Sequence, residues 1–409
     1  MTDTQWFREA GFGLFIHWGL YALHGLGEWA MYTSAIPAEK YRALAGRFQP
    51  GRFDADEWAR LACGAGMRYM VMTAKHHDGF CLFDTRTTGF CSAKTAAGRD
   101  FVREYVDACR RHGLRVGLYF SVKDWQYPGY FNGPQRDPEG WAEFMRVYEA
   151  QLRELLTGYG KIDILWFDGG DAPHFGLVDY PRDAWQAGRL EKLVRELQPG
   201  ILINGRAGMR ADFGTPERTG YGVMAASDRP QEICDSLTAE AWGYRPGDPC
   251  ISLREVMERI RGAAVNGCNL LLNVSPDPDG RIPDEQQALL RRVGDWMRAN
   301  GEAFYGTTRQ LPPWFEGTSF GPVATKGRFA YLLMNRRPYE GRVFLWKLAG
   351  EPAAACMLST KAPLTACRAQ GRIEISGFRE RDFDEMYPVV RLEFAEPVRA
   401  ADPFALFPR

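Results

Sequence analysis

The chain has 409 residues, and its 51 Lys and Arg residues balance 51 Asp and Glu residues, so the formal net charge is zero. This length is sufficient for one large domain and a smaller one. The balanced charge argues against nucleic acid or an anionic membrane surface as a partner, and no apolar run approaches the roughly 18 residues of a membrane span.

The cysteines and the first residues bear on cellular location. Nine scattered cysteines form no CxxC pair, and the beginning of the sequence lacks a basic segment followed by an apolar run. Scattered, unpaired thiols are typical of proteins from reducing compartments. The sequence therefore predicts a cytoplasmic protein without a signal peptide.

Short apolar runs alternate with stretches of helical periodicity through most of the chain. Asp54 followed by Glu57 is typical of a helix N-terminus. Apolar runs predict six strands, at residues 12–17, 67–73, 114–119, 162–168, 201–204 and 269–274. Strand and helix alternating at this spacing predict a (β/α) TIM-like barrel over residues 1–310, with an open α/β sheet as the alternative.

The last hundred residues have a different character. Residues 311–314 are typical of a linker, and apolar and polar residues alternate in segments such as 372–375 and 390–394. Turn clusters separate these segments, and no long helical period is present. This pattern predicts a C-terminal β-sandwich over residues 311–409.

The fourth predicted strand ends in a carboxylate. A β-branched apolar run reaches Asp168, and Gly169 and Gly170 follow directly. We expect a buried parallel strand that places Asp168 at its C-terminal edge, which is where barrel enzymes carry their chemistry. A helix cap is the alternative for a lone Asp in such a position.

Other predicted strand ends also carry polar groups suited to chemistry. His17 follows the first strand, His76 and His77 the second, Tyr119 ends the third and Arg206 follows the fifth. Metal binding is one interpretation. However, neighbouring His76 and His77 point to opposite faces of an extended backbone, whereas metal ligands normally share one face.

Recognition of a sugar around a pair of carboxyl groups fits these residues better. Glycosidic hydrolysis requires one ionised and one protonated carboxyl group at the scissile bond. Asp168, on a rigid strand end, suits the ionised role, and Glu217, on a polar loop, suits the protonated one; Glu232 is the alternative acid/base. Imidazole and guanidinium groups would hydrogen-bond the hydroxyls, while aromatic rings would pack on the apolar patches of the sugar.

Taken together, these motifs resemble the α-L-fucosidases of glycoside hydrolase family 29. The matching segments are residues 12–19, 28–29, 75–80, 117–119, 166–169, 212–217, 242–244 and 267–276. Their order and spacing are specific in combination. The chain departs from the family pattern at Ala30, where a second aromatic residue is frequent, and at Gln231, where a Trp often stands.

The resemblance implies a retaining enzyme with Asp168 as nucleophile and Glu217 as general acid/base. It also implies that fucose is bound by His17, Glu28, Trp29, His76, His77, Tyr119, Trp166 and Arg206. A fucosylated oligosaccharide is the implied partner. No metal and no organic cofactor is implied.

Two other hypotheses fit the same scaffold. A catalytically weak carbohydrate-binding protein is expected to lack one of the two carboxylates, yet both Asp168 and Glu217 are present. A metal-dependent barrel hydrolase is expected to lose its activity when a chelator is added.

Overall fold

A computed structural model of the chain describes residues 2–170, 184–209, 211–219, 224–225, 227–311, 318–383 and 386–401. In these ranges the N-terminal part forms a parallel sheet of seven strands and the C-terminal part an antiparallel sheet of seven. None of the helices in these ranges has the length and apolar character needed to cross a bilayer.

The parallel sheet contains every strand that the apolar runs predict, together with one more. Its strands are β1 (Phe12–Ile16), β2 (Tyr69–Lys75), β3 (Arg115–Ser121), β4 (Ile164–Asp168), β5 (Leu202–Ile203), β6 (Glu232–Ser236) and β7 (Asn269–Val274). The order across the sheet is β5-β4-β3-β2-β1-β7-β6. Strand β6 is the one that the sequence analysis missed.

Helices follow most of these strands and cover the outer face of the sheet. They are α1 (Gln5–Ala10), α2 (Tyr21–His24), α3 (Ala30–Thr33), α4 (Ala38–Arg42), α5 (Ala55–Gly64), α6 (Phe101–Arg111), α7 (Pro128–Arg136), α8 (Pro138–Gly158), α9 (Ala187–Leu197), α10 (Leu253–Asn266) and α11 (Asp284–Asn300). The predicted N-cap of α5 is confirmed, because the side chain of Asp54 accepts a 3.0 Å hydrogen bond from the amide of Glu57.

An extended segment joins the two edges of the parallel sheet. Asn204, directly after β5, forms a parallel bridge with Phe213, and Glu217 forms one with Cys234 of β6. The sheet is therefore barrel-like. Its interior holds buried side chains from every strand, namely Phe15, Tyr69, Val71, Tyr119, Ile164, Trp166, Leu202, Cys234 and Leu271. A packed interior of this kind is typical of barrels, and it leaves the strand ends as the place for a site.

The C-terminal sheet is antiparallel throughout. Its strands are β8 (Val323–Lys326), β9 (Phe329–Leu333), β10 (Arg342–Leu345), β11 (Pro352–Met357), β12 (Pro363–Ala369), β13 (Arg372–Ser376) and β14 (Val389–Phe394). Strand β12 changes partner along its length, since Leu364 pairs with β11 and Thr365 with β13. Side chains from both halves of this sheet pack in one buried cluster.

The C-terminal sheet packs against α11 and the residues that follow it. The indole nitrogen of Trp296 donates a 3.1 Å hydrogen bond to the carbonyl of Tyr387. The Glu302 carboxylate accepts a hydrogen bond from the Tyr331 hydroxyl and forms an ion pair with Arg391. Most of the predicted linker, residues 312–314, lies outside the described residues, and the boundary at residues 310 and 311 stays a prediction.

Candidate active site

A cavity of about 200 Å³ lies at the carboxyl ends of the parallel strands. All ten residues predicted for the site line it: His17, Glu28, Trp29, His76, His77, Tyr119, Trp166, Asp168, Arg206 and Glu217. They come from distant parts of the chain and meet because parallel strands deliver their carboxyl ends to one edge of the barrel.

Asp168 is held in place by the strand end and by the two glycines after it. The side-chain amide of Asn204 exchanges two hydrogen bonds with the backbone of Phe167, at 2.8 and 2.9 Å, and so continues the pairing of β4 beyond the short strand β5. Gly169 has φ +89°, and a Cβ on it would lie 2.8 Å from the Lys123 side chain. A Cβ on Gly170 would meet the Ala207 backbone at 2.7 Å. Glycine is therefore required at both positions.

Three side chains surround the Asp168 carboxylate. Arg206 Nη1 lies 3.1 Å from Oδ1, the Tyr119 hydroxyl donates a 2.9 Å hydrogen bond to Oδ2, and His77 Nε2 lies 3.6 Å from Oδ2. Burial raises the pKa of this carboxyl group, but the nearby Arg206 guanidinium and the hydrogen bonds outweigh it, so the pKa is lowered. Asp168 is consequently ionised at neutral pH.

Arg206 contacts the second carboxylate as well. Its Nη2 lies 2.9 Å from Oε2 of Glu217, and Nε donates a 2.9 Å hydrogen bond to the Thr215 hydroxyl. The guanidinium also lies over the Trp166 ring, 4.8 Å from its centre. The Glu217 side chain is 40% exposed and that of Asp168 21%, so Glu217 is the more accessible to water.

Glu232, the alternative acid/base, lies behind the cavity rather than in it. It is fully buried, and its two oxygens accept hydrogen bonds from the Tyr69 hydroxyl at 2.6 Å and the Trp166 indole nitrogen at 2.8 Å. Burial raises its pKa to about 7. Both oxygens are thus occupied in holding the aromatic wall, and this geometry favours Glu217 over Glu232 as the acid/base.

The imidazoles of His17 and His76 are buried beside Tyr119. His17 Nδ1 lies 2.7 Å from the Asn273 side-chain oxygen, and burial lowers the His17 pKa to about 4. His76 stacks on the Tyr119 ring at 5.3 Å, and burial holds its pKa well below the usual value. Both rings are neutral at pH 7. No hydrogen-bond partner of the buried His76 Nδ1 is found in the described part of the chain.

Glu28 and Trp29 form a further wall. The Glu28 carboxylate accepts hydrogen bonds from the amides of Trp242 and Gly243, at 3.0 and 2.7 Å, while burial raises its pKa. The Trp29 ring packs edge-on against His77, with 5.2 Å between ring centres. This wall combines a carboxylate with an aromatic face, which suits a molecule carrying both hydroxyls and apolar carbon.

Five lining residues were not selected from the sequence. They are Phe15, Lys123, Gly169, Cys234 and Trp242. Trp242 lies 5.2 Å from the His17 ring and beneath Arg218, and it belongs to one of the motifs that carry the family resemblance. That motif was the available signal for Trp242. Cys234 had none, because a lone cysteine in a polar segment gives no indication that it faces a cavity.

Among the residues that the structure describes, no group of three or more His, Cys, Asp or Glu side chains is arranged to hold a metal ion. His17, His76 and His77 instead contact Asn273, Tyr119 and Ser121. The chemistry that this cavity supports with its own side chains is acid–base and nucleophilic catalysis by carboxyl groups.

Comparison with known proteins adds independent findings. A family model described as alpha-L-fucosidase matches residues 2–302. The tissue alpha-L-fucosidase of Rattus norvegicus is 30% identical over 339 residues, which cover 76% of this chain and 70% of the relative.

Solved structures resemble this one over nearly the whole chain. Alpha-L-fucosidase isoenzyme 1 from Paenibacillus thiaminolyticus has a TM-score of 0.85 and 33% identity, covering 98% of this chain and 99% of its own. A GH29 alpha-L-fucosidase from Bacteroides thetaiotaomicron has a TM-score of 0.86 and 27% identity, covering 98% and 97%. It was solved as a trapped covalent intermediate with 2-fluoro-fucosyl fluoride, using a mutant in which Gln replaces a Glu.

Proposed function

Because this chain belongs to the alpha-L-fucosidase family, we propose that Asp168 and Glu217 are its two catalytic carboxyl groups. The protein is a retaining alpha-L-fucosidase, a glycoside hydrolase that works by double displacement through a covalent glycosyl-enzyme. The observation that supports the two roles is that a single guanidinium, Arg206, contacts both carboxylates in one cavity.

In the first step, the ionised Asp168 attacks the anomeric carbon of the fucosyl unit. The bond from that carbon to the leaving oxygen breaks, and Glu217 gives its proton to the oxygen. The products are a free alcohol and a fucosyl ester of Asp168. The lowered pKa of Asp168 keeps the nucleophile charged, and the more exposed Glu217 can exchange its proton with water.

In the second step, water enters from the side of the departed alcohol. Glu217, now ionised, takes a proton from the water as its oxygen attacks the anomeric carbon, and the ester bond to Asp168 breaks. Fucose leaves with its original anomeric configuration. Asp168 is again a carboxylate and Glu217 again holds its proton, so the enzyme is ready for another cycle.

Sugar binding is assigned to the neutral imidazoles and the polar wall. His17 and His76 present ring nitrogens without charge at pH 7, and Glu28 offers a carboxylate that is fixed by two backbone amides. Such groups match hydroxyls that both donate and accept hydrogen bonds. Trp29 and Trp166 supply apolar faces. We propose terminal α-L-fucosyl residues of oligosaccharides or glycoconjugates as the substrate.

The decisive test is the variant Asp168→Gly with an activated aryl α-L-fucoside. We expect kcat to fall by about three orders of magnitude or more, because the nucleophile is removed. Added azide should restore turnover and yield a fucosyl azide, since it fits the space that the carboxylate leaves. Hydrolysis at the parent rate would overturn the assignment of Asp168.

A second comparison separates the two candidate acid/base residues. We expect Glu217→Gln to slow aryl fucosides with poor leaving groups far more than those with good ones, because only the former need a proton. Glu232→Gln should change both classes equally. The opposite pattern would transfer the acid/base role to Glu232. Stabilisation by fucose without any turnover would indicate a carbohydrate-binding protein instead.

For the fold, we propose a complete (β/α) barrel over residues 1–310 and a β-sandwich over residues 311–409. Support for the barrel comes from the bridges made by residues 213–217 and from the interior packing that all strands share. Support for the sandwich comes from the change of partner along β12 and from the single core of the C-terminal sheet.

We also propose that the enzyme acts in the cytoplasm. All nine cysteines are free thiols, among them the buried Cys81, Cys91, Cys109 and Cys234, which suits a reducing compartment. Fractionation of the source cells tests this location. Recovery of the protein from the secreted fraction would contradict it.

A further inference from the structure

A second, larger cavity of about 740 Å³ lies at the opposite end of the barrel from the catalytic residues. On one side it is lined by residues that precede strands, among them Arg68 before β2, Gln231 before β6 and Cys268 before β7. On the other side it is lined by the chain after α11, including Arg309, and by Lys326 of β8. The cavity therefore spans the junction between the barrel and the C-terminal sheet. We call it the basal cavity.

Positive charge is concentrated in the basal cavity. Among the residues that the structure describes, its lining contains one carboxylate, Glu9, and five cationic side chains: Arg8, Arg68, Arg229, Arg309 and Lys326. This excess stands out because the whole chain carries equal numbers of acidic and basic residues. A concave surface lined by one sign of charge concentrates ions of the opposite sign.

The hydrogen bonds of three of these cations, Arg68, Lys326 and Arg309, do not neutralise them. Arg68 donates to the carbonyl of Glu9 at 2.7 Å, Lys326 donates to the carbonyl of Tyr305 at 2.9 Å, and Arg309 Nη1 donates to a backbone carbonyl. These acceptors are neutral carbonyl oxygens, not carboxylates. The bonds orient the side chains and leave their charge available to a ligand.

Arg309 adds a second, independent observation. Its Nη2 is buried, and the described residues provide it with no hydrogen-bond acceptor. A buried N–H group without an acceptor is unfavourable, and such groups in folded proteins usually mark a missing partner. The guanidinium of Arg309 belongs to the lining of the basal cavity, and a shift of this side chain toward a bound anion would give the buried nitrogen its acceptor.

The cavity is also preorganised. The Arg68 guanidinium lies 3.7 Å from the centre of the Tyr305 ring, and the Tyr305 hydroxyl donates to the carbonyl of Gly66. Burial raises the pKa of the Cys268 thiol to about 11, although Arg309 and Arg8 oppose that rise. The thiol is therefore uncharged at neutral pH and supplies no anion to the neighbouring cations.

We propose that the basal cavity is a binding site for a small molecule that carries phosphate groups. Planar guanidinium groups match the oxygens of phosphate, and several cations within one cavity favour a ligand with more than one negative charge. The volume falls in the range of small-molecule sites, which is larger than one phosphate requires. A bound polyanion would link Arg68 of the barrel to Lys326 of the C-terminal sheet.

The test uses inorganic pyrophosphate as the probe and the full chain at low ionic strength. Isothermal titration calorimetry should show saturable binding, and the melting temperature should rise with pyrophosphate concentration because the ligand binds the folded state. Arg309→Gln should weaken binding about tenfold or more, since it removes a charged hydrogen-bond donor. Added salt should weaken binding by the parent protein.

Two variants control for a general loss of charge or fold. Arg336→Gln removes one positive charge from an exposed position of the C-terminal sheet domain that does not line the cavity, and it should bind pyrophosphate as the parent does. Arg68→Gln, at the exposed rim, provides a second test should Arg309→Gln fold poorly. Hydrolysis of an aryl fucoside reports folding of each variant, while the binding readout does not depend on that activity.

Absence of saturable binding at about 10 mM pyrophosphate would overturn the proposal, because such an affinity is too weak for a specific site. If Arg68→Gln and the Arg336→Gln control weakened pyrophosphate binding equally, the attraction would be nonspecific. That result would also overturn the proposal. Binding that is lost only in the cavity variants would establish the basal cavity as the site.

Discussion

Arg206 and Asp168 form an ion pair in which Nη1 and Oδ1 are 3.1 Å apart. The other terminal nitrogen of the same guanidinium lies 2.9 Å from Glu217. Arg206 therefore sets the charge and the position of Asp168, the proposed nucleophile, and also contacts Glu217, the proposed acid/base. A planar guanidinium can donate hydrogen bonds to two carboxylates at once in fixed directions. It is therefore not interchangeable with an ammonium group.

We predict that Arg206→Lys lowers kcat/KM for aryl fucosides by about 10²-fold or more and moves the acidic limb of the pH profile to higher pH. Activity requires ionised Asp168 and is lost as the pH falls through its pKa. Against the effect of burial, Arg206 lowers that pKa through its charge and through its hydrogen bond to Asp168. Lysine retains the charge but loses the hydrogen bond that the planar guanidinium holds in place, so the pKa rises and the acidic limb moves with it. The measurement is kcat/KM as a function of pH. Arg189→Lys, at an exposed ion pair with Glu149, is the control and should leave the pH profile unchanged. If the acidic limb of the Arg206→Lys profile stayed at the parent's pH, the prediction would be contradicted.

The second prediction concerns stability and Glu232. Burial raises the pKa of this carboxyl group from its usual 4.5 to about 7. A carboxyl group with a raised pKa makes the folded state less stable as the pH rises from the unfolded to the folded value. Glu232→Gln removes this ionisation, while its amide can still accept from Trp166 and donate to the Tyr69 oxygen.

We therefore expect Glu232→Gln to match the parent in stability at pH 4.5 and to exceed it at pH 8, by about 1–3 kcal/mol. Urea denaturation at both pH values measures the difference. Glu340→Gln, at an exposed position, should show no such gain. A gain of the same size at both pH values would mean that ionisation of Glu232 is not its source.

The same residue explains why one strand was missed. Strand β6 reads Glu-Ile-Cys-Asp-Ser, which contains no apolar run, yet all of it is buried. Glu232 is buried because Tyr69 and Trp166 donate to it, and Asp235 because Arg259 pairs with it at 2.7 Å. These partners lie far away in sequence, so local periodicity could not predict the strand.

The other strands and most of the site were predictable because their signals are local. An apolar run that ends in a polar residue is visible in the sequence, and parallel strands bring such ends together. Lys123 and Cys234 were not selected as site residues. Only the course of the loop after β3 brings Lys123 to the cavity, and only the unpredicted strand β6 brings Cys234 there. The family resemblance supplied Glu28 and Trp29, for which the spacing of residues alone gave no role.

The turn directly after Asp168 is the subject of the third prediction. Gly169 has φ +89°, and a Cβ there would crowd the Lys123 side chain, so Gly169→Ala should cost about 1–3 kcal/mol of stability and reduce kcat. Gly188→Ala is the matched control. It lies exposed in α9 with no atom within 4 Å of the added Cβ, and should be stabilising by about 0.5–1 kcal/mol. We expect Gly169→Ala to lower the melting temperature and Gly188→Ala to raise it. Equal changes in the two variants would exclude strain at Gly169.

A buried ion pair lies beside the turn that contains His76 and His77, which we call the histidine turn. Lys75 Nζ lies 3.1 Å from Asp124 Oδ2, and the two side chains are 1% and 2% exposed. Lys75 ends β2 just before His76 and His77, and the amide of Trp125, next to Asp124, donates a 2.8 Å hydrogen bond to the His77 carbonyl. The pair thus fixes the end of β2 against the loop that follows β3.

The fourth prediction follows from the burial of this pair. Asp124→Asn leaves the Lys75 charge buried without its counter-ion, which should cost about 3–5 kcal/mol of unfolding free energy. Lys75→Met alone should also be destabilising, because it strands the Asp124 carboxylate. The double variant should be less destabilised than the sum of the two, since it contains neither charge of the pair. Urea denaturation of the four proteins forms a double-mutant cycle. Strict additivity would show that the ion pair does not stabilise the histidine turn.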